Sequence, residues 1–339
     1  MNTSKIVRFE KFGGPEVLNI EELPVEPPKA GEVLLKVQAI GLNRADALFR
    51  SGNYLEQPKF PSRIGVEAAG VVEAVGLGVT QVRLGDRVSV APGQSIGRYG
   101  TYGETAIVPA GSVIPYPENL TPSDAASVWV QYLTPYFAFV DMASIQPGQT
   151  VLITAASGGS GLGSIQMARL LGATVIATTR SAEKEKALLE AGAQHVIVTD
   201  NKNLALRVME LTGGKGADVI FDPVAGSSLP GLAESVAWGG QIILYGALDS
   251  VETPYPLLTA FARNFSLRTY LLYNYCGLPD LRLPRNEEVF QRAIQFIRRN
   301  LAEGKLKPII AKTFPLSLVR EAHQYMESNQ QLGKIVLTI

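Results

Sequence analysis

The sequence predicts an α/β protein that combines an all-β barrel or sandwich domain with a doubly wound, parallel-sheet domain. In the first third of the chain, Gly and Pro interrupt short apolar runs at residues 33–43, 65–76 and 85–90, which is typical of an all-β domain. From Thr150 onward, apolar strands alternate with helical segments, which indicates βαβ units and a parallel sheet with helices on both faces. A glycine-rich string at residues 155–163 joins the first of these strands to its helix.

Length and composition narrow the class of protein. A chain of 339 residues favours two domains. Basic and acidic residues are balanced at 31 each, so no global field favours a nucleic acid partner. The single cysteine, Cys276, excludes an intrachain disulfide and a Cys-rich structural zinc site. Because no apolar run approaches ~18 residues and the first residues lack a signal-peptide pattern, we expect a cytoplasmic protein without membrane contact.

Between the two predicted domains, residues 121–143 read as one helix. Thr121 is its expected N-cap, and Pro122 takes the first helical position. Further along, the spacing of residues 261–275 fits neither a helix nor a strand cleanly.

The C-terminal part predicts two more helices and a strand. A charged helix covers residues 286–304, and residues 317–339 contain a last helix followed by a strand. We expect these segments to pack partly on the β domain. His323 lies among charged residues of the last helix, so we expect it at the surface.

The glycine-rich string carries the strongest chemical signal. Small residues let the backbone turn sharply and approach a pyrophosphate, while the start of the next helix offers free amide groups and a positive dipole end. The spacing A-x-x-G-x-x-G lacks the lysine of an ATP-type P-loop, which favours a dinucleotide. The residues expected to bind the cofactor here are Ala156, Ser157, Gly158, Gly159 and Ser160.

The end of the second strand in this domain predicts which dinucleotide binds. About twenty residues past the glycines, an Asp or Glu would bind the ribose 2′-hydroxyl of NADH. Thr179 stands there instead, Arg180 follows, and Lys184 lies one helical turn further on. Two cations and a hydroxyl suit a 2′-phosphate, so the expected cofactor is NADPH. The alternative is that both cations are merely solvated.

With these residues placed, the chain resembles the medium-chain dehydrogenase/reductase superfamily, specifically its zinc-free quinone oxidoreductase branch, over nearly its whole length. The resemblance rests on the strings GLNRADALFRSGNY, GVEAAGVVEAVG, LGDRV, ASGGSG, LYGA and EAHQYMESNQQLGKIVL, the first and last of which look closest to stress-inducible quinone reductases. It implies a GroES-like β-barrel catalytic domain at 1–124, a Rossmann NADPH-binding domain at 125–265, and a C-terminal segment at 266–339 that partly returns to the catalytic domain. It also implies a homodimer.

The resemblance assigns further cofactor contacts by position. Tyr54 would lie near the nicotinamide, and Thr199 near the adenosine phosphate. The remaining residues that it places near the cofactor are Gly246 and Ala247 at a strand end, Leu272 and Asn274 in the following loop, and Lys334 in the string LGKIV.

The resemblance also argues against a catalytic metal. Zinc-dependent relatives have a Cys at the position of Asn43 and a His at that of Val66, and neither ligand is present. With two histidines and one cysteine in the chain, no Cys/His set with zinc-ligand spacing can be assembled. Asp46 and Glu67 keep positions that neighbour the metal in those relatives, so a carboxylate pair stays open as a metal-binding alternative.

Without zinc, the expected substrate is an already activated acceptor, because quinones, enones and enals spread the incoming charge onto oxygen. Tyr54 would donate a hydrogen bond or a proton to that oxygen, or else only close a pocket wall. Asn43 is a second candidate on the acceptor side or a structural amide, with Asp46 orienting both from the same loop. The aromatic string at 270–275 is a wall for planar acceptors, or else core packing or a dimer seam.

Two rival functions stay open at this stage. The first is an enoyl-thioester reductase on the same scaffold, in which Arg282, Arg285, Arg298 and Arg299 would hold a phosphopantetheine arm. The second is an NADPH-binding structural or RNA-interacting protein with little turnover. Balanced charge and the lack of a recognisable RNA motif weigh against the second.

Overall fold

The computed structural model describes residues 2–199 and 203–339, which form two compact units. The first unit contains residues 2–130 and 273–339, and the second contains residues 131–272. Both ends of the chain therefore belong to the same unit.

Helices and strands follow one another along the chain within these bounds. The strands are β1 (Thr3–Arg8), β2 (Asn19–Pro24), β3 (Glu32–Gly41), β4 (Glu67–Val75), β5 (Arg87–Val90), β6 (Thr105–Pro109), β7 (Val113–Pro115), β8 (Thr150–Ile153), β9 (Thr174–Thr179), β10 (His195–Val198), β11 (Ala217–Asp222), β12 (Val236–Leu244), β13 (Ser266–Thr269), β14 (Ile310–Pro315) and β15 (Lys334–Thr338). The α-helices are α1 (Arg44–Arg50), α2 (Pro122–Ala125), α3 (Trp129–Tyr136), α4 (Gly159–Leu170), α5 (Glu185–Glu190), α6 (Leu204–Leu211), α7 (Leu229–Ala233), α8 (Leu257–Arg263), α9 (Tyr273–Cys276), α10 (Glu287–Ala302) and α11 (Val319–Glu327). Short 3₁₀ turns cover Pro15–Val17, Ala110–Ser112, Ala182–Lys184, Gly226–Ser228, Pro279–Leu281 and Leu316–Leu318, and Phe137–Met142 is π-helical.

The first unit is built on a seven-stranded sheet in the order β14–β15–β3–β4–β5–β7, with β6 also paired to β3. The pairs are antiparallel except β14 with β15. The apolar strand β3 is buried along most of its length and lies at the centre of the sheet. Through β15 the C-terminal residues extend this sheet, since Leu337 pairs with Ile40. Residues far apart in sequence thus meet along β3.

The second unit contains a six-stranded, fully parallel sheet in the order β10–β9–β8–β11–β12–β13. Helices α4 to α7 lie between consecutive strands in the chain, as expected for crossover connections between parallel strands. Buried Ile176 on β9, Ile220 on β11 and Ile242 on β12 contribute to its core. The predicted fold class, a β domain combined with a doubly wound parallel sheet, is confirmed.

The prediction of one continuous helix over residues 121–143 is wrong. Thr121 does cap a helix, because its hydroxyl accepts a hydrogen bond from the Asp124 N–H at 3.2 Å, but α2 ends four residues later. The chain breaks before α3, where the Val130 N–H and the Trp129 indole donate hydrogen bonds to the side chains of Glu67 and Ser89. Tertiary hydrogen bonds have replaced intrahelical ones at this point. The internal Pro135 then cannot donate its own intrahelical hydrogen bond, and the chain continues as π-helix.

Candidate functional site

The carboxyl ends of the parallel strands in the second unit meet at one edge of its sheet. The first of these strands, β8, lies in the middle. The chain winds outward to β9 and β10 on one side and to β11, β12 and β13 on the other. In such sheets, ligands bind where the winding direction reverses, which is here between β8 and β11. The cofactor residues predicted in this unit follow the ends of β8, β9, β10, β12 and β13.

The turn after β8 presents backbone to this edge. Ala155 has a positive φ of 46°, and the Ala156 N–H donates to the Thr178 carbonyl oxygen at 3.0 Å, so the chain turns sharply here. A Cβ at Gly161, in the first turn of α4, would lie 2.5 Å from the Ala156 carbonyl oxygen. A Cβ at Gly158 would meet only the Ala155 carbonyl oxygen, at 3.9 Å. The turn is closely packed on one side and open on the other, where the free amides of a helix start suit a pyrophosphate.

Two cations and two hydroxyls lie at the ends of β9 and β10. The Thr199 N–H donates to the Thr179 carbonyl oxygen at 2.9 Å, which holds these two strand ends together. Arg180 is exposed, and Lys184 is partly buried on the 3₁₀ turn that follows. Burial and the nearby Arg180 charge lower the pKa of Lys184 below its usual value. An anion bound beside this pair would relieve that repulsion.

The loop after β12 brings Gly246 and Ala247 to the same edge. A Cβ at Gly246 would lie 2.8 Å from the Pro223 carbonyl oxygen, so the loops after β11 and β12 pack closely. Asp222 holds the first of these loops: it is buried and accepts hydrogen bonds from two backbone N–H groups, at 2.7 and 3.1 Å, and from the Thr154 hydroxyl. Sequence reasoning missed Asp222. An acidic residue that closes the apolar string ADVIFD was the available signal.

The residues implied after β13 have different environments. Leu272 is the last residue of the second unit, and Asn274 is exposed on α9 of the first unit. Tyr273 between them is buried, and its ring packs edge to face with Tyr54 at a centroid distance of 6.5 Å. Tyr273 was not singled out from the sequence, although it belongs to the aromatic string at 270–275. This string contributes to the surroundings of Tyr54.

In the first unit, Asn43, Glu67 and Lys334 form one buried cluster of polar side chains. The Lys334 ammonium donates hydrogen bonds to Asn43 Oδ1 and to Glu67 Oε2, each at 2.7 Å. The Asn43 amide donates to Glu67 Oε2 at 2.9 Å and to the Gly41 carbonyl oxygen at 3.2 Å. Glu67 Oε1 accepts from the Val130 N–H at 2.7 Å. The Asn43 amide is therefore occupied by partners within the protein, as a structural amide would be.

A second buried chain of hydrogen bonds ends at Asp46. Asp46 Oδ2 accepts from the Asn43 N–H at 2.8 Å and from the Tyr102 hydroxyl at 3.0 Å. Tyr102 lies 3.3 Å from Nε2 of His323, whose Nδ1 lies 2.6 Å from Nη1 of Arg50. Because a guanidinium can only donate, His323 accepts at Nδ1 and carries its hydrogen on Nε2, so each donor in the chain points toward Asp46.

The predicted surface position of His323 is wrong. The residue is fully buried, and burial together with the Arg50 charge lowers its pKa to about 3, so it is neutral. Its helix, α11, turns Ala322, His323 and Met326 inward while its charged residues face outward. Arg50 completes the network through an ion pair of 2.6 Å with the partly exposed Glu327.

Burial dominates the acid–base properties of Asp46 and Tyr54. Asp46 is completely buried, and desolvation raises its pKa to about 7 against the opposing effect of its hydrogen bonds and of Lys334. Desolvation raises the pKa of Tyr54 to about 12 against the opposing effect of a hydrogen bond with Tyr273, and the charges of Asp46 and Glu56 add smaller increases. Tyr54 therefore keeps its proton at neutral pH and can donate it in a hydrogen bond.

The predicted absence of a zinc site was based on Asn43 and Val66. Val66 is buried among apolar residues, and Asn43 is bound to Lys334 and Glu67. Within residues 2–199 and 203–339, no three His, Cys, Asp or Glu side chains come together in a metal-binding group. Nor does any helix in these ranges have the length and apolar character to cross a membrane.

The fold and these groups define a class of protein. A GroES-like β unit combined with a doubly wound sheet that has a phosphate turn after its first strand is the architecture of two-domain, dinucleotide-dependent dehydrogenases and reductases.

Comparisons with known proteins identify the family within this class. Residues 29–118 match the alcohol dehydrogenase GroES-like domain, and residues 159–299 match the family described as zinc-binding dehydrogenase. The chain is 32% identical to a quinone oxidoreductase of Rattus norvegicus over 99% of this chain and 98% of that protein. Two solved structures, quinone oxidoreductases from Pseudomonas syringae and from Escherichia coli, the latter complexed with NADPH, each superpose with a TM-score of 0.89 at 30% identity, covering 99% of this chain and 100% of theirs. The protein belongs to the medium-chain dehydrogenase/reductase superfamily and, within it, to the relatives of the quinone oxidoreductases.

The raised pKa of Asp46 predicts how stability depends on pH. A carboxyl with a pKa of about 7 in the folded state and 3.8 as its ordinary value binds its proton more tightly when folded, so its contribution to the free energy of unfolding falls as pH rises from about 4 to about 7. The loss is ~4 kcal/mol at most, taking 1.36 kcal/mol per tenfold change. Asp46→Asn should flatten this dependence, because an amide oxygen still accepts from Asn43 and Tyr102 but does not titrate. Urea midpoints measured from pH 4 to pH 8 would check it.

The matched control for this prediction is Asp86→Asn. Asp86 lies on the turn before β5 and accepts a hydrogen bond from the Arg83 N–H at 2.9 Å. This variant should keep the wild-type pH dependence. An Asp46→Asn protein with the same slope as wild type would show that another group titrates.

Proposed function

We propose that the protein is an NADPH-dependent, zinc-independent reductase that transfers hydride to a small quinone or α,β-unsaturated carbonyl compound. The observation that carries the proposal is the edge of the parallel sheet, where an open phosphate turn and the Arg180–Lys184 pair lie on neighbouring strand ends. NADPH in the Escherichia coli relative supports the same cofactor here.

The proposed cofactor contacts are divided among the loops at this edge. The turn from Ala156 to Ser160 would bind the pyrophosphate through backbone amides and the start of α4. Thr179, Arg180 and Lys184 would bind the 2′-phosphate, since a carboxylate that would repel it is missing from the end of β9. The other proposed contacts are Tyr54, Thr199, Gly246, Ala247, Leu272, Asn274 and Lys334.

NADPH supplies the hydride when bound, so the protein has to orient the acceptor and stabilise charge on its oxygen. A metal would be needed to polarise an unconjugated carbonyl, whereas hydrogen bonds suffice for a quinone or an enone. Tyr54 is the proposed donor because its high pKa keeps it protonated. The occupied Asn43 amide is better suited to positioning, and Asp46 anchors Asn43 through its backbone N–H.

Arg285, one of the four arginines that an enoyl-thioester reductase would use to hold a phosphopantetheine arm, is bound within the protein. Arg285 donates to the Cys276 carbonyl oxygen at 3.0 Å and to the Gly111 carbonyl oxygen at 2.8 Å, and its guanidinium lies 4.4 Å from the centre of the Phe290 ring. A guanidinium used in this way fixes the local fold. It is poorly placed to bind a mobile phosphate.

The test of the proposed function is NADPH oxidation with three acceptors: ortho-naphthoquinone, cyclohexenone and crotonyl-CoA. We expect turnover with the first two and little with the thioester, and no change after treatment with a chelator. Preference for crotonyl-CoA would favour the thioester reductase. Activity lost on chelation and restored by zinc would contradict zinc independence. A salt-sensitive RNA gel shift without turnover on any acceptor would favour the binding protein.

Cofactor preference gives a second prediction. Arg180→Ala should raise the KM for NADPH at least tenfold, because a charge-assisted bond to the 2′-phosphate is lost, and should leave the KM for NADH within about twofold. Lys186→Ala is the matched control, because Lys186 is a neighbouring exposed cation that pairs with Glu190 on α5. Steady-state kinetics with both cofactors would check it. An equal rise for NADPH and NADH in Arg180→Ala would contradict the assignment of the 2′-phosphate.

We further propose that the protein forms a homodimer through the β13 end of the parallel sheet. β13 is the last strand in the sheet order, and the segment before it exposes large apolar side chains: Leu248, Val251, Tyr255, Leu257, Leu258 and Phe261. Several exposed apolar side chains in one segment beside a sheet edge are typical of an association surface. The second copy would cover both.

Mass measurement in solution tests the dimer. The wild type should have the mass of a dimer at micromolar concentration, and Leu258→Glu/Phe261→Glu should have that of a monomer, because both side chains are more than 70% exposed in the single chain and would be covered only by the partner. Leu206→Glu, on α6, is the control and should stay dimeric. A monomeric wild type would rule the proposal out.

A further inference from the structure

The cluster of Lys334, Glu67 and Asn43 in the first unit contains a buried charge pair. Glu67 is completely buried, whereas the Lys334 side chain is 5% exposed, so within the charge pair the lysine is the member that reaches the surface. Removing an ammonium and a carboxylate from water costs several kcal/mol each, and apolar residues of the same volume often stabilise a protein as well or better. A buried charge pair that stabilises the fold little is a candidate for a functional role.

The hydrogen bonds within the cluster leave one N–H donor of Lys334 available to a ligand. Both Glu67 oxygens accept hydrogen bonds, from Val130 on one side and from Asn43 and Lys334 on the other. The Asn43 amide donates to Glu67 and to Gly41, and its oxygen accepts from Lys334. Lys334 has three N–H donors. Two have partners, and across the described part of the chain no acceptor is bound to the third.

We propose that Lys334 is a catalytic residue whose third N–H donates a hydrogen bond to the acceptor oxygen as that oxygen becomes an anion. The inference rests on the proposed function and deepens it by naming the group that takes the electrostatic role of a metal. Glu67 and Asn43 hold the ammonium in one position, so little reorganisation is needed when charge develops. Asp46 adjoins this cluster, because its Oδ2 accepts a hydrogen bond from the Asn43 N–H at 2.8 Å, and Tyr54 follows α1, the helix that Asn43 caps.

The step balances without any further reagent. An enone takes up hydride from NADPH at its β-carbon, the C=C electron pair shifts toward the carbonyl, and the carbonyl π pair moves onto oxygen. NADPH is oxidised to NADP⁺, and the enone is reduced to an enolate. The Lys334 ammonium stabilises the enolate by a hydrogen bond and keeps its own proton. Water then protonates the α-carbon to give the saturated ketone. With a quinone, the oxygen that becomes the hydroquinone anion occupies the same position.

The test uses two variants of the full-length chain and one control. Lys334→Met removes the ammonium and keeps the length of the side chain, but it leaves Glu67 buried and unpaired, which costs stability. Lys334→Met/Glu67→Gln is therefore made as well, because the double variant buries no unpaired charge. Lys305→Met is the control: Lys305 is a surface lysine of the same unit that pairs with Glu303.

Each protein is measured for melting temperature, NADPH affinity by nicotinamide fluorescence, and kcat with cyclohexenone and with ortho-naphthoquinone. We expect the double variant to melt near the wild-type temperature and to bind NADPH up to about tenfold more weakly, because one proposed cofactor contact is lost. At saturating NADPH its kcat with the enone should fall ~100-fold, the range seen when an oxyanion donor is removed. The loss should be smaller with the quinone, because its reduced oxygen is a weaker base and needs less stabilisation. A structural defect would lower both rates equally.

Three results would overturn the inference. The first is a folded double variant with kcat within threefold of wild type. The second is a loss of NADPH affinity with kcat fully recovered at saturating NADPH, which would leave Lys334 with its proposed cofactor contact alone. The third is an equal loss with both acceptors. If the wild type reduces neither acceptor, the proposed function fails and this inference falls with it, whereas an active wild type with an active double variant removes only the role of Lys334.

Discussion

The carboxylate of Glu67 is the interaction on which the first unit depends. It binds the amide of Asn43 at the start of α1, the ammonium of Lys334 at the start of the last strand, and the backbone of Val130 at the start of α3. These segments are separated by tens to hundreds of residues, so bringing them to one carboxylate requires β3, β4 and β15 to pair as they do. Because the carboxylate is buried, loss of any charged partner would leave an unpaired charge, and the cluster therefore specifies the topology more than it adds stability.

The chain from Arg50 to Asp46 complements this cluster from the other side of Asn43. Glu67 and Lys334 bind the side chain of Asn43, and Asp46 binds its backbone. The entry to α1 is thus fixed at both its side chain and its main chain. α1 leads directly to the segment that carries Tyr54. Polar networks of this kind, in which nearly every donor and acceptor is used, hold side chains in one arrangement where apolar packing alone would allow several.

The sequence predicted those parts of the structure whose patterns lie within short stretches of the chain, and it did not predict those that depend on distant residues. The parallel sheet and its phosphate turn were predictable because the alternation of strands and helices and the glycine spacing lie within short windows. The break between α2 and α3 was not, since the acceptor that replaces a helical carbonyl for the Val130 N–H is the distant Glu67, and Ser89 fixes the Trp129 indole beside it. The burial of His323 was not predicted for the same reason. Its neighbours in sequence are charged, but its partners, Arg50 and Tyr102, are more than 200 residues away. Residues 261–275 fitted no single period because they contain the end of α8, β13 and α9 in succession.

The full use of the Asn43 amide changes how the acceptor side should be understood. An amide whose oxygen and both N–H groups are bound inside the protein can stabilise charge on a substrate only by giving up a buried hydrogen bond, which costs more than it gains. Tyr54 keeps its proton, and Lys334 keeps a donor beyond those spent on its two partners. In the proposed mechanism, Tyr54 and Lys334 are therefore the side chains that stabilise charge on the acceptor oxygen, while Asn43 and Glu67 hold the Lys334 ammonium in position. A metal-free reductase of this kind has to build into its fold the fixed positive charge that a metal ion would otherwise supply.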